Sequence, residues 1–569
     1  MKDSLQLLDY SAIGIYMVLM GAIGLFLGRY VKNINDYFVG DNSIPPLGGA
    51  ISNFMSLFST FVFVAYAGIA YEYGLVAILI LWSSVPPALI AAKYFAHRWR
   101  RAGLITPMQF LETRYNAPVR QILSWGGIGF KILDSLVRLY SIGLFIAAAT
   151  PLSLETAILV SGLIVVLYTV LGGIWAVVVT DAVQFVILIF STLILLPLSI
   201  KAVGGLDNLT LTIPAHFTFF NGPKGTPLFL LGYYVMVLIK YNGNWAFIQR
   251  FYSVRDEAAG AKMGLITAAF FFVFPVVFLI PAIAARSYIP DLADKEMAYV
   301  SMCLRLLPEG IMGVMIAAMF AATMSALSAT YNVVAGVLTE DIYKRLISPY
   351  ALGRNLLLVA RGSTFLIGIL VTFGALYIGN FGGAFEANKL FTGLFAIPMS
   401  IPLLMGILYR RPKPWGALVT IVAGIIIGLI LNQDKSISWE AATLLQIVIC
   451  ILIMVVSGWV PSKNPTYEAR VNTFFKKLAT PISAAEKPVV NEVFMRSLKY
   501  LFAIAMSTTA VLFLTMSLPS ITKLSGQLSF GAGTICLIGA GILWVQAKSK
   551  DKKAISALPE PEAITYQQN

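Results

Sequence analysis

Long apolar runs recur along almost the whole chain, and nothing else in the sequence restricts its fold as strongly. A helix needs about 20 mostly apolar residues to cross the hydrocarbon core of a bilayer. Such runs fall near 8–29, 46–72, 74–97, 121–150, 154–172, 176–200, 228–250, 262–286, 310–339, 356–379, 388–409, 414–431, 440–460, 496–517 and 529–547. Their length, and the lack of sustained two-residue alternation, select helices over strands. The expected fold class is therefore all-α, a polytopic membrane protein of about 15 transmembrane helices.

Composition agrees. Of the 569 residues 58% are hydrophobic and 12% charged, where a soluble protein is about a quarter charged. A soluble enzyme, a disordered chain and a disulfide scaffold are excluded on those grounds. The three cysteines, Cys303, Cys450 and Cys536, have no metal-site spacing and read as small buried apolar groups. The opening MKDSLQLLDY lacks a basic end and a small-residue cleavage site, so the first span is expected to be retained.

The net charge of +14 suits either nucleic acid or a membrane, and its distribution decides between them. With the N-terminus outside and strict alternation, 29 of the 41 basic residues fall on the inner side. That bias obeys the positive-inside rule. It gives a multi-pass cell-membrane protein, N-terminus outside and C-terminus cytoplasmic, in contact with lipid and with no call for nucleic acid. The longest non-apolar stretches, 201–226, 287–309, 461–495 and 548–569, are too short for a soluble domain. One membrane domain with loops is expected, ending in a disordered tail.

Between Gly172 and Gln184 the chain reads GGIWAVVVTDAVQ, taken as a Gly-Gly turn followed by a helix carrying Thr180 and Asp181. Other ordered motifs accompany it. They are Asp36-Tyr37-Phe38 with Ile44-Pro45, Thr106-Pro107 with Phe110-Leu111 and Arg114-Tyr115, Gln249-Arg250, and Asp341-Ile342-Tyr343-Lys344. Together they resemble the sodium:solute symporter family from about residue 10 to 460. The resemblance implies a LeuT-like fold, two five-helix repeats of opposite topology around a mid-membrane site. The implied organisation is an N-terminal helix and loop (1–45), a first repeat (46–200), an outside loop (201–227), a second repeat (228–409), C-terminal helices (410–547) and a cytoplasmic tail (548–569). The first helix of each repeat should be broken. Gly48-Gly49 with Ser52, Asn53, Ser56, Ser59 and Thr60 fits the first, and Tyr241-Asn242-Gly243-Asn244 the second.

The resemblance also implies sodium as the coupling ion. Its first site would use backbone oxygens near Phe54 and Leu57, the Ala322 carbonyl and the Ser325 hydroxyl, with Ala326 where relatives carry a second serine. A second site would combine Asp181 with Ser325 and Ser328, although Ala329 replaces another hydroxyl. An intramembrane carboxylate is a functional candidate by default; capping of a helix end by Asp181, assisted by Thr180, is the structural alternative.

For the solute, the informative residues are charges inside predicted spans. Asp134 and Arg138 are i, i+4 neighbours that can pair. Asp134 falls where sugar carriers of the family hold an Asn and sialic-acid carriers an Arg, and Lys240 replaces an inner-gate tyrosine. Lys131 reads as a residue snorkelling to the cytoplasmic edge. The acidic residue that binds sugar in the second core helix falls at Ile80 or Leu81, and a lysine of the seventh at Phe271 or Phe272, so a galactose-type site is not retained. Candidate solute contacts are Ser56, Ser59, Thr60, Asp134, Arg138, Lys240, Tyr241, Asn244 and Trp245.

The expected function is sodium-coupled symport of a small polar organic solute, a sugar or sugar acid. A transporter-like sensor or uncoupled channel, or a symporter for an amino acid or monocarboxylate, stands as the alternative. No nucleophile–base constellation supports catalysis. The solute's identity, the sodium stoichiometry and the oligomeric state are not legible.

Overall fold

The computed structural model describes residues 5–28, 42–104, 106, 108–351, 353–434, 436–461, 464–483, 487 and 492–555. The Asp36-Tyr37-Phe38 motif, Pro107 and residues 556–569 of the tail lie outside the described residues, as does the side chain of Thr180. Among the described residues the regular elements are helical, with one isolated bridge between Ile44 and Val254.

In chain order the principal helices of the first compact unit, Met1–Pro488, begin with α1 Leu7–Gly28, α2 Pro46–Leu57 and α3 Val62–Tyr73. There follow α4 Val76–Ala102, α5 Ala117–Ala149, α6 Leu154–Ala202, α7 Pro227–Asn242 and α8 Trp245–Ser253. The unit continues with α9 Glu257–Tyr288, α10 Ile311–Ile347, α11 Gly353–Ala375 and α12 Ala384–Leu408. It ends with α13 Pro414–Gln433, α14 Trp439–Trp459 and α15 Pro465–Ala479. The second unit, Val489–Asn569, contains α16 Glu492–Ser517 and α17 Leu524–Ile555, which pack on each other with the Tyr500 and Trp544 rings 5.0 Å apart.

Helix starts follow local chemistry. Asn116, Ser153, Thr226 and Asp256 each accept a hydrogen bond from an amide three residues on, satisfying one of the donors a helix start leaves free. Pro46, Pro118 and Pro227 occupy first-turn positions, where a missing N–H costs nothing.

Among the described residues eleven helices are long and apolar enough to cross a membrane, and α2 with α3, bent by 58°, makes a twelfth if taken as one span. The spans expected at 8–29, 154–172 and 228–250 are also helical, as α1, the Leu154–Leu167 stretch of α6, and α7 with α8. One expectation fails. Gly172 and Gly173 form no turn, because α6 is helical without interruption from Leu154 to Ala202. Glycine in a helix interior costs only about 1 kcal/mol, so a Gly pair weakens a helix without being obliged to end it.

The interior is organised around α10. Every residue from Ile311 to Gly336 is buried, and the helix packs against α1, α2, α5, α6, α8 and α11. Its start is capped from 300 residues away. Asp9 of α1 accepts hydrogen bonds from the amides of Gly310 at 2.7 Å and Gly313 at 2.8 Å. Gly313 permits this, since a Cβ there would lie 2.2 Å from the Asp9 carbonyl oxygen.

Candidate functional site

The break between α2 and α3 supplies the first polar groups. A continuous helix would join the Thr60 amide to the Ser56 carbonyl. Here the two part. The Thr60 amide donates to Thr323 Oγ1 on α10 at 3.1 Å, and the Ser56 carbonyl accepts from Arg138 Nη1 on α5 at 3.0 Å. Thr60 Oγ1 donates to the Met319 carbonyl at 2.6 Å, and Thr323 Oγ1 donates to Thr60 Oγ1 at 2.8 Å. The break is therefore fastened to the turn of α10 that leads into Ala322.

The second break lies between α7 and α8. Asn244 caps α8, its Oδ1 accepting from the Ala246 amide at 3.0 Å. That oxygen also accepts from Lys131 Nζ at 3.5 Å. Lys131 is thus buried, at 6% exposure, and does not snorkel to an aqueous edge. The Asn244 side chain is the hydrogen-bond partner of its ammonium.

Between the breaks stands a charged cluster. Asp134 Oδ2 accepts from Arg138 Nε at 3.1 Å, and Asp134 Oδ1 lies 3.6 Å from Lys240 Nζ. Two residues of α12 complete it. Asn388 Nδ2 donates to Asp134 Oδ1 at 3.2 Å, and Lys240 Nζ donates to Thr392 Oγ1 at 2.8 Å. Thr392 opens a π-helical turn, Thr392–Ala396; such turns are frequent at functional sites.

This cluster faces a cavity of about 70 Å³, room for a few waters. Arg138, Lys240, Tyr241, Asn244 and Asn388 give its wall polarity, with Ser83 and Ser84 beside Ile80 and Leu81. Tyr66 and Tyr233 also line it, joined hydroxyl to hydroxyl at 2.6 Å. Ile80, Leu81 and Phe271 also reach the cavity and make that part of its wall apolar. A second chamber of about 20 Å³ touches Lys131 and Trp245 and shares Lys240 and Asn244 with the first.

The nine solute candidates therefore separate. Arg138, Lys240, Tyr241 and Asn244 line the main cavity, and Asp134 holds two of those cations from behind. Trp245 lines the smaller chamber. Ser56, Ser59 and Thr60 are engaged at the break: Ser56 Oγ donates to the Ser52 carbonyl at 2.7 Å, and Ser59 Oγ accepts from Arg138 Nη1 at 3.5 Å. Sequence reasoning missed Tyr66, Tyr233, Ser83, Ser84, Asn388, Thr392 and Thr323. Asn388 and Thr392 carried a usable signal, two polar residues four apart in an apolar span. The tyrosines carried none, since intramembrane aromatics are common packing residues.

The ion candidates gather on the other side of α2. Asp181 is fully buried, far from either end of α6, which removes the capping role. Ser52 Oγ donates to Asp181 Oδ2 and itself accepts from Arg250 Nε at 2.9 Å and Nη2 at 2.7 Å. Arg250 Nη2 stands 3.8 Å from Asp181 Oδ2. Asp181 Oδ1 and Ser325 Oγ are buried without a completed hydrogen bond. Ser328 Oγ donates to the Ser325 carbonyl at 3.1 Å, leaving its lone pairs available. The carbonyls of Phe54 and Leu57 end α2, accepting from Phe58 and Ser59 amides at 3.0 and 3.1 Å with one lone pair each to spare. Ala322, Ser325 and Ala326 are buried on α10, which packs on α2. An orphaned hydroxyl on α10 and free carbonyl lone pairs at the end of α2, on helices that pack together, are oxygen donors of the kind a hard cation takes.

Three comparisons bear on this geometry. The sequence model described as the sodium:solute symporter family matches residues 37–424. The chain is 27% identical to a sodium/glucose cotransporter of Vibrio parahaemolyticus, over 76% of this chain and 86% of that one. It is 25% identical to a sodium/sialic acid symporter of Aliivibrio fischeri, over 74% and 87%. Among solved structures, a substrate-bound, outward-open Na+-coupled sialic acid symporter superposes with a TM-score of 0.73 at 20% identity, covering 80% of this chain and 99% of that one. That likeness carries the LeuT-like fold.

Proposed function

The chain belongs to the sodium:solute symporter family, and from that premise we propose that it imports a small solute bearing a negative charge, a sugar acid ahead of a neutral sugar, by alternating access. The observation that carries this reading is the wall of the main cavity. Arg138 and Lys240 both face it, and the one carboxylate they share, Asp134, stands behind them. Buried charge is costly unless balanced. An anionic group entering beside Arg138 and Lys240 balances the second cation. Ser83, Ser84 and Asn388 supply hydroxyl-binding groups for a polyol frame.

Coupling follows from the order of groups at the end of α2. Phe54 and Leu57 present carbonyls to sodium, and the Ser56 carbonyl between them holds Arg138. Sodium shared by α2 and α10 fixes the backbone turn that presents Arg138 to the solute, so each ligand favours the arrangement the other needs. The residues in ion roles are Phe54, Leu57, Ala322 and Ser325, with Asp181, Ser325 and Ser328 as a second position. Ala326 contributes no side-chain oxygen. The two repeats are assigned to 46–200 and 228–409, each opening with a broken helix, and the N-terminus is assigned to the outside.

The test is uptake into proteoliposomes of a labelled hexuronate and a labelled hexose, with and without an inward sodium gradient. Gradient-driven accumulation of the hexuronate is expected. Equal uptake without the gradient would favour the sensor or uncoupled-channel alternative. Accumulation of the hexose alone would overturn the charge preference. Epitope tags at each end test the orientation.

A further inference from the structure

Beneath the main cavity lies the second chamber, walled by Gly127, Lys131, Lys240, Asn244, Trp245 and Ser400. It is closed by close packing. A Cβ on Gly127 would stand 2.0 Å from the Trp245 ring, and one on Gly243 would stand 2.4 Å from Ser400. About 20 Å³ is left, room for about one water.

Lys131 is the unexplained group in this chamber. It is 94% buried by the same measure that exposes it at 6%. Its ammonium makes one long hydrogen bond, 3.5 Å to Asn244 Oδ1, and otherwise stands 5.6 Å from the centre of the Phe130 ring, a weak partner for a full charge. Among the described residues no carboxylate comes within ion-pair reach of it, and the nearby Asp134 is already held by Arg138 and Lys240. An ammonium taken out of water without an anion is unfavourable, and one placed on a chamber wall points to a ligand.

Position gives the ligand's class. Lys131, Asp134 and Arg138 sit at i, i+3 and i+7 on α5, one face of the helix spread over about 10 Å at 1.5 Å per residue. Arg138 lines the main cavity, Lys131 the lower chamber, and Lys240 both. The three cations form a ladder across the wall that divides the two spaces.

We infer that Lys131 is a second, transient binding position for the anionic group of the solute, reached from Arg138 by way of Lys240 when Trp245 leaves Gly127. This rests on the reading that the solute is anionic. Arg138 selects the solute at entry; Lys131 receives it on the way through. A carboxylate leaving Arg138 then meets a compensating cation at each step and never an apolar wall.

The experiment uses the full-length protein in liposomes, with a labelled hexuronate as probe and K131M, K131Q and K131R as variants. Turnover of hexuronate uptake should fall at least tenfold in K131M and K131Q, while its KM moves less than threefold. K131R should restore most of the turnover. Sodium-induced thermal stabilisation, measured without solute, reports whether each variant is folded, and two neutral replacements guard against one misfolding. Wild-type turnover in both K131M and K131Q would overturn the inference and leave the anionic-solute reading standing. A tenfold rise in KM with unchanged turnover would place Lys131 in the entry site and overturn it too. If the wild-type protein carries no hexuronate but accumulates a neutral hexose, the anionic-solute reading fails first, and this inference with it.

Discussion

Two buried carboxylates, Asp134 and Asp181, each pair with an arginine, yet their surroundings differ in kind. Asp134 holds Arg138 and Lys240 at the edge of a cavity, with contacts of 3.1 and 3.6 Å and an asparagine as third partner. Asp181 is reached by Arg250 through one shared hydroxyl, that of Ser52, in a place with no exposure at all. The first cluster borders space that an incoming molecule can enter. The other ties α2, α6 and α8 together and leaves one carboxylate oxygen and one serine hydroxyl unspent. On the function proposed above, solute selection falls to the first, looser cluster and ion coupling to the second, tighter one.

The strongest way to break that contrast is at Arg250. Removing one partner of a buried pair typically costs about 3–5 kcal/mol, so R250M should lower the unfolding temperature sharply and abolish uptake. Combining it with D181N should recover part of the loss. If single and double variants melt alike, the two residues are not coupled and the tight cluster is misdescribed.

A smaller effect is expected at Arg138. R138M should raise the hexuronate KM at least tenfold, about 1.4 kcal/mol, while sodium still stabilises the solute-free protein. Loss of that sodium effect would merge the clusters into one. Next comes Ser325, where S325A removes the orphaned hydroxyl and should weaken the apparent sodium affinity roughly five- to tenfold, about 1 kcal/mol, with the solute KM nearly unchanged at saturating sodium. Titrating uptake against sodium reads this directly.

The smallest effect belongs to Ser56. Arg138 takes its backbone carbonyl, and its hydroxyl turns back onto the Ser52 carbonyl. S56A should therefore change hexuronate KM less than twofold, under about 0.5 kcal/mol. A tenfold rise would place the hydroxyl in the cavity and redraw the boundary of the loose cluster.

Span positions were legible because a bilayer demands length and apolarity, which are local properties of the chain. The exceptions are instructive. Gly172-Gly173 looked like a turn because glycine is common in turns, but nothing local states whether a helix can tolerate it. Lys131 reads from sequence as a snorkelling residue because a lysine's long stem usually carries its ammonium to the interface, and only the Asn244 oxygen, 113 residues away, shows otherwise. The charged members of the site, Asp134, Arg138, Lys240 and Asp181, declared themselves by their cost in a membrane. Ser52 and Arg250 were visible as residues, but the shared hydroxyl was not, since pairings across 129 and 198 positions leave no trace in spacing. Ser59 and Thr60 mark the break, where the Ser59 hydroxyl meets Arg138 and the Thr60 hydroxyl meets the Met319 carbonyl. Once a helix breaks, its freed groups are claimed by whatever packs nearest.

The carboxylate of Asp9 on the first amides of α10 has a practical side. α1 is a single helix ahead of the broken pair α2 and α3, and an expression design can leave it out. Doing so would uncap the helix that carries Ala322, Ser325 and Ser328, and expose at its start two amides now paired at 2.7 and 2.8 Å. Shortened proteins of this kind should be judged first on how they respond to sodium.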